Sequence, residues 1–156
     1  MPKSIRILPF LFLFISGISA QPKQLNNFIQ ILEALNSGHS VNAVIHFKDC
    51  RVVTDSVETK SQDKIKGMEL EPFDYYTAGL IGKRAFISSS NTVMIYLGGG
   101  GGYFYNYTKI RVFDDNTVEI TNRYLTMDKL EVQMDEMSYG EINDGSNGKA
   151  VYFYED

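Results

Sequence analysis

Apolar and polar residues alternate over most of this chain, and that alternation constrains its fold more than any other feature. The pattern is clearest in residues 117–125, where Val118, Ile120 and Tyr124 would share one face of a strand. Ten Tyr and ten Phe, with no Trp, add to a composition that favours strands over helices. We predict a mainly β fold of the α+β class, with seven to eight strands in a curved antiparallel meander or barrel.

One amphipathic helix precedes the strands. Over residues 24–36 the apolar side chains fall on one arc of the helix; they are Leu25, Phe28, Ile29, Ile31, Leu32 and Leu35. Pro22 suits the start of a helix, and Gly38, which adopts positive φ without strain, suits its end. We expect this helix to pack on the β-structure or to plug it.

Residue types also place the turns and irregular points of the β region. Ser89-Ser90-Asn91 and Asp114-Asp115-Asn116 are typical of hairpin turns. Pro72 cannot donate to a strand ladder, so residues 68–76 should form an edge strand or carry a bulge. A change of phase at residues 135–136 predicts a second bulge.

The first twenty residues have the pattern of a secretory signal peptide. Lys3 and Arg6 precede an apolar run, and Ser19 and Ala20 are small enough for a cleavage site. The run is too short to cross a hydrocarbon core of about 30 Å as a helix. We therefore expect residues 1–20 to be removed, residues 21–156 to form one domain, and the protein to be secreted, extracellular and not inserted in a membrane.

The charge of the chain limits its partners. The formal net charge is −4, and loss of Lys3 and Arg6 with the signal peptide would make it −6. Nucleic-acid binding needs a basic surface, so we expect no nucleic-acid partner. An extracellular protein or a small apolar ligand suits the composition better.

Residues that could perform chemistry are few. His46 and Cys50 are the one nucleophile–base pair, but in a strand they would lie about 13 Å apart unless the chain turns between them. We favour a buried, slowly reacting Cys50 that directly follows a core strand. Two His and one Cys leave almost no material for a zinc site, which usually needs three or four such ligands. The acidic pairs at 114–115, 135–136 and 155–156 are typical of solvated turns, so we expect no metal, cofactor or catalytic residue.

Residues 98–107 hold the remaining candidates. Five glycines, 98–102, lead into a strand and not into a helix, so they predict a hairpin connection and not a phosphate-binding loop. Tyr103, Tyr105 and Tyr107 would share one strand face, where they either fill the core, which we favour, or line a ligand-binding groove. Asn106 begins a glycosylation sequon, Asn-Tyr-Thr, and would lie on the strand face opposite to these tyrosines. A glycan can occupy it only if that face is exposed.

Several segments, in their order along the chain, resemble the VirK-like family. They are residues 35–50, with a helix end, a Ser-Gly turn, a strand and a cysteine, and residues 67–75, 105–113 and 117–125. The similarity runs from about Leu25 to Tyr154. It implies a small exported fold, since members with secretion signals are typical, and it supplies no catalytic residues.

Taken together, these patterns predict a secreted, non-enzymatic protein that acts by binding or as a constituent of an extracellular matrix. The alternative is a carrier of a small apolar ligand within a β-barrel. A hydrolase that uses Cys50 and His46 ranks third.

Overall fold

A computed structural model describes residues 21–99, 101–146 and 148–156 of the chain. The predicted signal peptide, residues 1–20, lies outside this part. The elements in chain order are β1 Lys23–Leu25, α1 Phe28–Asn36, β2 Val41–His46, a 3-10 turn Phe47–Asp49, β3 Arg51–Thr54, β4 Val57–Thr59, β5 Ile65–Glu69, β6 Phe73–Tyr76, β7 Phe86–Leu97, β8 Gly102–Phe113, β9 Thr117–Thr126, β10 Val132–Glu141 and β11 Val151–Glu155.

The strands form two antiparallel sheets. The small sheet has the order β1-β11-β2-β5, and the large sheet has the order β4-β3-β10-β9-β8-β7-β6. The mainly β class with one α-helix is therefore confirmed. Of the two predicted architectures, a meander or a barrel, the barrel is wrong, because both sheets stay open. The described residues contain eleven strands where seven to eight were predicted.

The helix is shorter than predicted at its N-terminal end. It begins at Phe28 and not at residue 24, because Asn27 caps it by accepting a hydrogen bond from the Gln30 amide. Leu25 instead lies in β1, paired with Phe153 of β11. Gly38 has φ +79° just beyond the helix end, as predicted.

A single cluster of buried side chains joins the helix to both sheets. The helix contributes Phe28, Ile31, Ala34 and Leu35, with Ile29 on its exposed side. The small sheet supplies Val41, Ala43, Ile45, Val151 and Phe153, and the large sheet supplies Val52, Ile87, Ile110, Val112, Val118 and Ile120. Burial of this apolar surface is the main force that holds the elements together.

Three local predictions differ from the structure. Ser89-Ser90-Asn91 is not a turn, because β7 runs through it while pairing with β8 along its whole length. Residues 68–76 do not form one strand but are divided between β5 and β6 of different sheets, although the predicted edge position is confirmed because both are edge strands. The irregularity in β10 lies between Val132 and Met134, just before the predicted position. By contrast, the turn at residues 114–116 is confirmed, and Asn116 has φ +64°.

Candidate binding face

The alternation along β8 decides which of its side chains meet the core. Ile110 and Val112 are fully buried in the core cluster, so Tyr103, Tyr105 and Tyr107 project from the opposite face, which we call the outer face of the large sheet. Tyr103 is 58% exposed and the other two are half-buried. The prediction that they share a face is confirmed, whereas the prediction that they fill the core is wrong.

Two residues of β7 extend this aromatic surface. Met94 lies opposite Tyr105, and Tyr96 lies opposite Tyr103 with the two ring centroids 5.0 Å apart. Both β7 side chains are exposed. We call the surface formed by Met94, Tyr96, Tyr103, Tyr105 and Tyr107 the tyrosine face. It is open to solvent and lies on paired strands, so its side chains are held on a rigid backbone.

Polar and charged side chains border the tyrosine face. Tyr107 lies opposite Arg123, whose guanidinium donates two hydrogen bonds of 3.1 Å to Asp135. Lys109 follows on β8, and burial together with repulsion from Arg111 lowers the pKa of its ammonium group. The outer face thus changes from aromatic to charged along the strands.

The charged end of the outer face is a groove of about 680 Å³, which we call the arginine groove. Arg51, Tyr139 and Glu119 line the groove and lie in one row across β3, β10 and β9. Arg111 of β8 continues this row beyond the groove, opposite Glu119. Arg84 joins them from the segment before β7. Sequence reasoning missed this groove. The predicted turn at residues 114–116 was the available signal, because it places Arg111 opposite Glu119.

Most of the charges in the arginine groove already have partners. Arg84 donates hydrogen bonds to Asp115 at 2.7 Å and to Thr117 at 2.8 Å, and its guanidinium lies 3.8 Å from the centroid of the Phe113 ring. Arg51 stacks on Tyr139 at 4.3 Å. These contacts fix the side chains in place and leave the groove with cations and anions in similar number.

His46 and Cys50 are brought closer than in a strand, but not into a catalytic arrangement. The 3-10 turn lies between them, so Cys50 does not directly follow β2 as predicted. The thiol lies 3.7 Å from the carbonyl oxygen of His46, while the His46 ring packs on Tyr152 at 5.0 Å. Burial, followed by the charges of Asp49 and Glu136, raises the pKa of the Cys50 thiol to about 11. A thiol in this state is a poor nucleophile at neutral pH.

Asn106 lies on the core side of β8, between Phe104 and Thr108. Its side-chain oxygen Oδ1 is buried and has no hydrogen-bond partner within the part of the chain that the structure describes. The residue as a whole is partly exposed.

The acidic pairs make local contacts. Asp115 accepts hydrogen bonds from Thr117, Asp135 pairs with Arg123, and Glu155 pairs with Lys23. Across residues 21–99, 101–146 and 148–156, no group of three or more His, Cys, Asp or Glu side chains is placed to hold a metal ion. Within the same residues, no helix has the length and apolar character needed to span a membrane.

Comparison with known proteins identifies the family. A family model described as VirK protein matches residues 24–130, more than half of the chain. The chain belongs to the VirK family. The crystal structure of a VirK family protein from Legionella pneumophila superposes with a TM-score of 0.63 at 17% sequence identity, over 83% of this chain and 97% of that one. At this identity the likeness shows a shared fold. No curated protein matches the chain.

Proposed function

We propose that this VirK protein is a secreted, non-enzymatic binding protein whose tyrosine face holds a neutral glycan chain. The observation that carries the proposal is the row of tyrosines on an open sheet face, with Tyr103 and Tyr96 exposed. Tyrosine rings present a negatively polarised face that attracts the C–H bonds of a sugar ring, and their hydroxyl groups can bond to sugar hydroxyls. Exposed apolar patches of this kind mark interaction sites.

The shape and charge of the protein favour a neutral polymer over other ligands. The tyrosine face is an open surface, which suits a long chain better than a small molecule that needs enclosure. The formal charge, −4 for the full chain and −6 after loss of Lys3 and Arg6, opposes binding of polyanions such as uronic-acid polymers. Thr92, which is exposed and lies opposite Tyr107, adds a hydroxyl group for hydrogen bonds on the same face.

The remaining parts of the proposal rest on different observations. The raised pKa of the Cys50 thiol supports a protein without a cysteine nucleophile. The pattern of residues 1–20 supports secretion. A glycan-binding protein outside the cell would act as a constituent of an extracellular matrix.

Affinity electrophoresis in native gels tests the proposal. We expect the protein to be retarded in gels that contain hydroxyethylcellulose, xylan or galactomannan, and not in gels that contain polygalacturonate. Tyr105→Ala should weaken the retardation about tenfold, as expected for loss of one aromatic contact worth at least about 1.4 kcal/mol. The variant should remain folded, because half-buried Tyr105 costs less to remove than the about 3–5 kcal/mol of a core aromatic.

Tyr154→Ala is the matched control. Tyr154 is also partly buried, but it lies in β11 of the small sheet, away from the tyrosine face. Retardation unchanged by Tyr105→Ala, lost equally in both variants, or seen with polygalacturonate alone would reject the proposal. So would a lack of retardation in all of the neutral gels.

A carrier of a small apolar ligand is the second candidate function. It is favoured by the exposed side chains of Met94 and Tyr96, which lie beside Tyr105 and Tyr103 near the β7–β8 turn. The sheets in the described residues form no closed barrel, so such a ligand would bind in an open site. Binding of anilinonaphthalene sulfonate to the native protein, and its loss in Tyr105→Ala, would favour a carrier over a glycan-binding protein.

A further inference from the structure

Two thirds of β7 has a free edge. The strand β6 pairs only with the first residues of β7, from Phe86 to Ser89, whereas β8 pairs with β7 as far as Leu97. Residues 90–97 therefore present one row of backbone N–H and C=O groups that has no partner strand among the described residues. This free edge is about 27 Å long at roughly 3.4 Å per residue.

The free edge lacks the features that usually prevent strand pairing between proteins. Charged residues, prolines and bulges normally protect such edges. No charged residue and no proline occurs between Arg84 and Lys109, and β7 pairs with β8 without a change of register. The other strands with free edges each carry a charge; the charged residues are Lys23 in β1, Glu58 in β4, Lys66 in β5, Asp74 in β6 and Asp135 in β10.

We propose that the partner of this edge is a second copy of the chain, with β7 antiparallel to β7 across a two-fold axis. The occupant must be an extended strand, and β7 is itself an extended strand without charged residues. The absence of charged residues between Arg84 and Lys109 favours a copy that approaches here, because no like charges would face each other across the edge. A two-fold pairing uses both free edges and closes the assembly at two chains.

The pleat of the strands limits the register of this dimer. Residues that lie directly opposite each other on the two strands must point to the same side of the sheet. The residue nearest the two-fold axis must therefore lie opposite the same residue of the second chain. The centre of residues 90–97 places that residue at Val93 or Met94. The two large sheets would then join into one, with both tyrosine faces on the same side.

The dimer proposal does not depend on glycan binding, and a substitution at Val93 tests the dimer without changing the tyrosine face. Val93 lies on the side of β7 opposite to the tyrosine face and is 44% exposed. Val93→Lys would place two ammonium groups close together across the axis, which is unfavourable. It should cost the monomer little, because the side chain already contacts solvent.

Sedimentation velocity on the full secreted protein tests the dimer, at concentrations up to about 100 μM, where complexes with micromolar Kd are populated. We expect the wild type to sediment as two chains, and Val93→Lys to raise the dimer Kd at least tenfold. Leu130→Lys is the control: Leu130 is also an exposed apolar residue, 58% exposed, but it lies in the β9–β10 connection. That variant should remain dimeric.

A second measurement tests the strand pairing directly. In a Cys50→Ala background, Val93→Cys or Met94→Cys should form a disulfide-linked dimer under mild oxidation, while Leu130→Cys should not. A wild type that is monomeric at every concentration would overturn the proposal, as would a dimer that Leu130→Lys disrupts and Val93→Lys does not. Open-ended oligomers would also overturn it, because the pairing closes at two chains.

Discussion

Gly140 in β10 offers a quantitative test of how closely the sheets and the 3-10 turn pack. A Cβ atom added to Gly140 would lie 3.0 Å from the Ala150 Cβ, 3.4 Å from the Cys50 Sγ and 3.5 Å from a methyl group of Val151. Ala150 and Val151 are fully buried, so neither can move aside easily. We expect Gly140→Ala to lower the free energy of unfolding by about 1–3 kcal/mol, the usual cost of overpacking.

Gly67→Ala is the matched control, because Gly67 also lies within a strand, β5. A Cβ atom there meets nothing within 4 Å, and neither glycine has positive φ. The control should therefore gain about 0.4–1 kcal/mol, since alanine restricts the unfolded chain. The two substitutions are chemically identical, so the difference between them reports the packing around Gly140.

Urea denaturation, followed by far-UV circular dichroism, measures these changes as shifts of the midpoint at constant m-value. Adding Ala150→Gly to Gly140→Ala removes the methyl group with the shortest contact and should restore most of the loss, which makes a double-mutant cycle with a favourable coupling. The packing argument is refuted if both glycine variants are equally stable, or if Ala150→Gly and Gly140→Ala simply add their costs.

Two further predictions concern Cys50 and the N-terminus. Because the pKa of the Cys50 thiol is raised to about 11, iodoacetamide should modify it at pH 8 at least about 100-fold more slowly in the native protein than in urea. The rate in the native protein should keep rising as the pH approaches 11, and a plateau near pH 9 would contradict this. Protein collected from the medium of expressing cells should begin at Gln21 by N-terminal mass analysis, and a chain that still begins at Met1 would exclude cleavage of the signal peptide.

The features that the sequence predicted correctly depend on near neighbours. The end of the helix at Gly38 and the turn at Asn116 need only residues that tolerate positive φ. The common face of Tyr103, Tyr105 and Tyr107 follows from the two-residue period of a strand. Each of these depends on a few adjacent positions, so tertiary contacts had little opportunity to override it.

The features that were missed depend on partners far along the chain. Ser89-Ser90-Asn91 has the composition of a turn, but pairing with residues 108–110 of β8 keeps it extended. Leu25 fits the helical period, yet it pairs with Phe153 at the other end of the chain. The exposure of the tyrosine face could have been inferred, because Ile110 and Val112 are the purely aliphatic residues of β8 and lie on the alternate face.

The position of β11 makes the two ends of the domain depend on each other. In the small sheet β11 lies between β1 and β2, so the last strand in the chain joins the first two. Until Val151–Glu155 is available, β1 has no partner and β2 is paired on one side only. Such long-range closure forms late and slowly. A chain with this topology stays incomplete while its C-terminus is still being synthesised, and loss of its last strand would leave β1 unpaired.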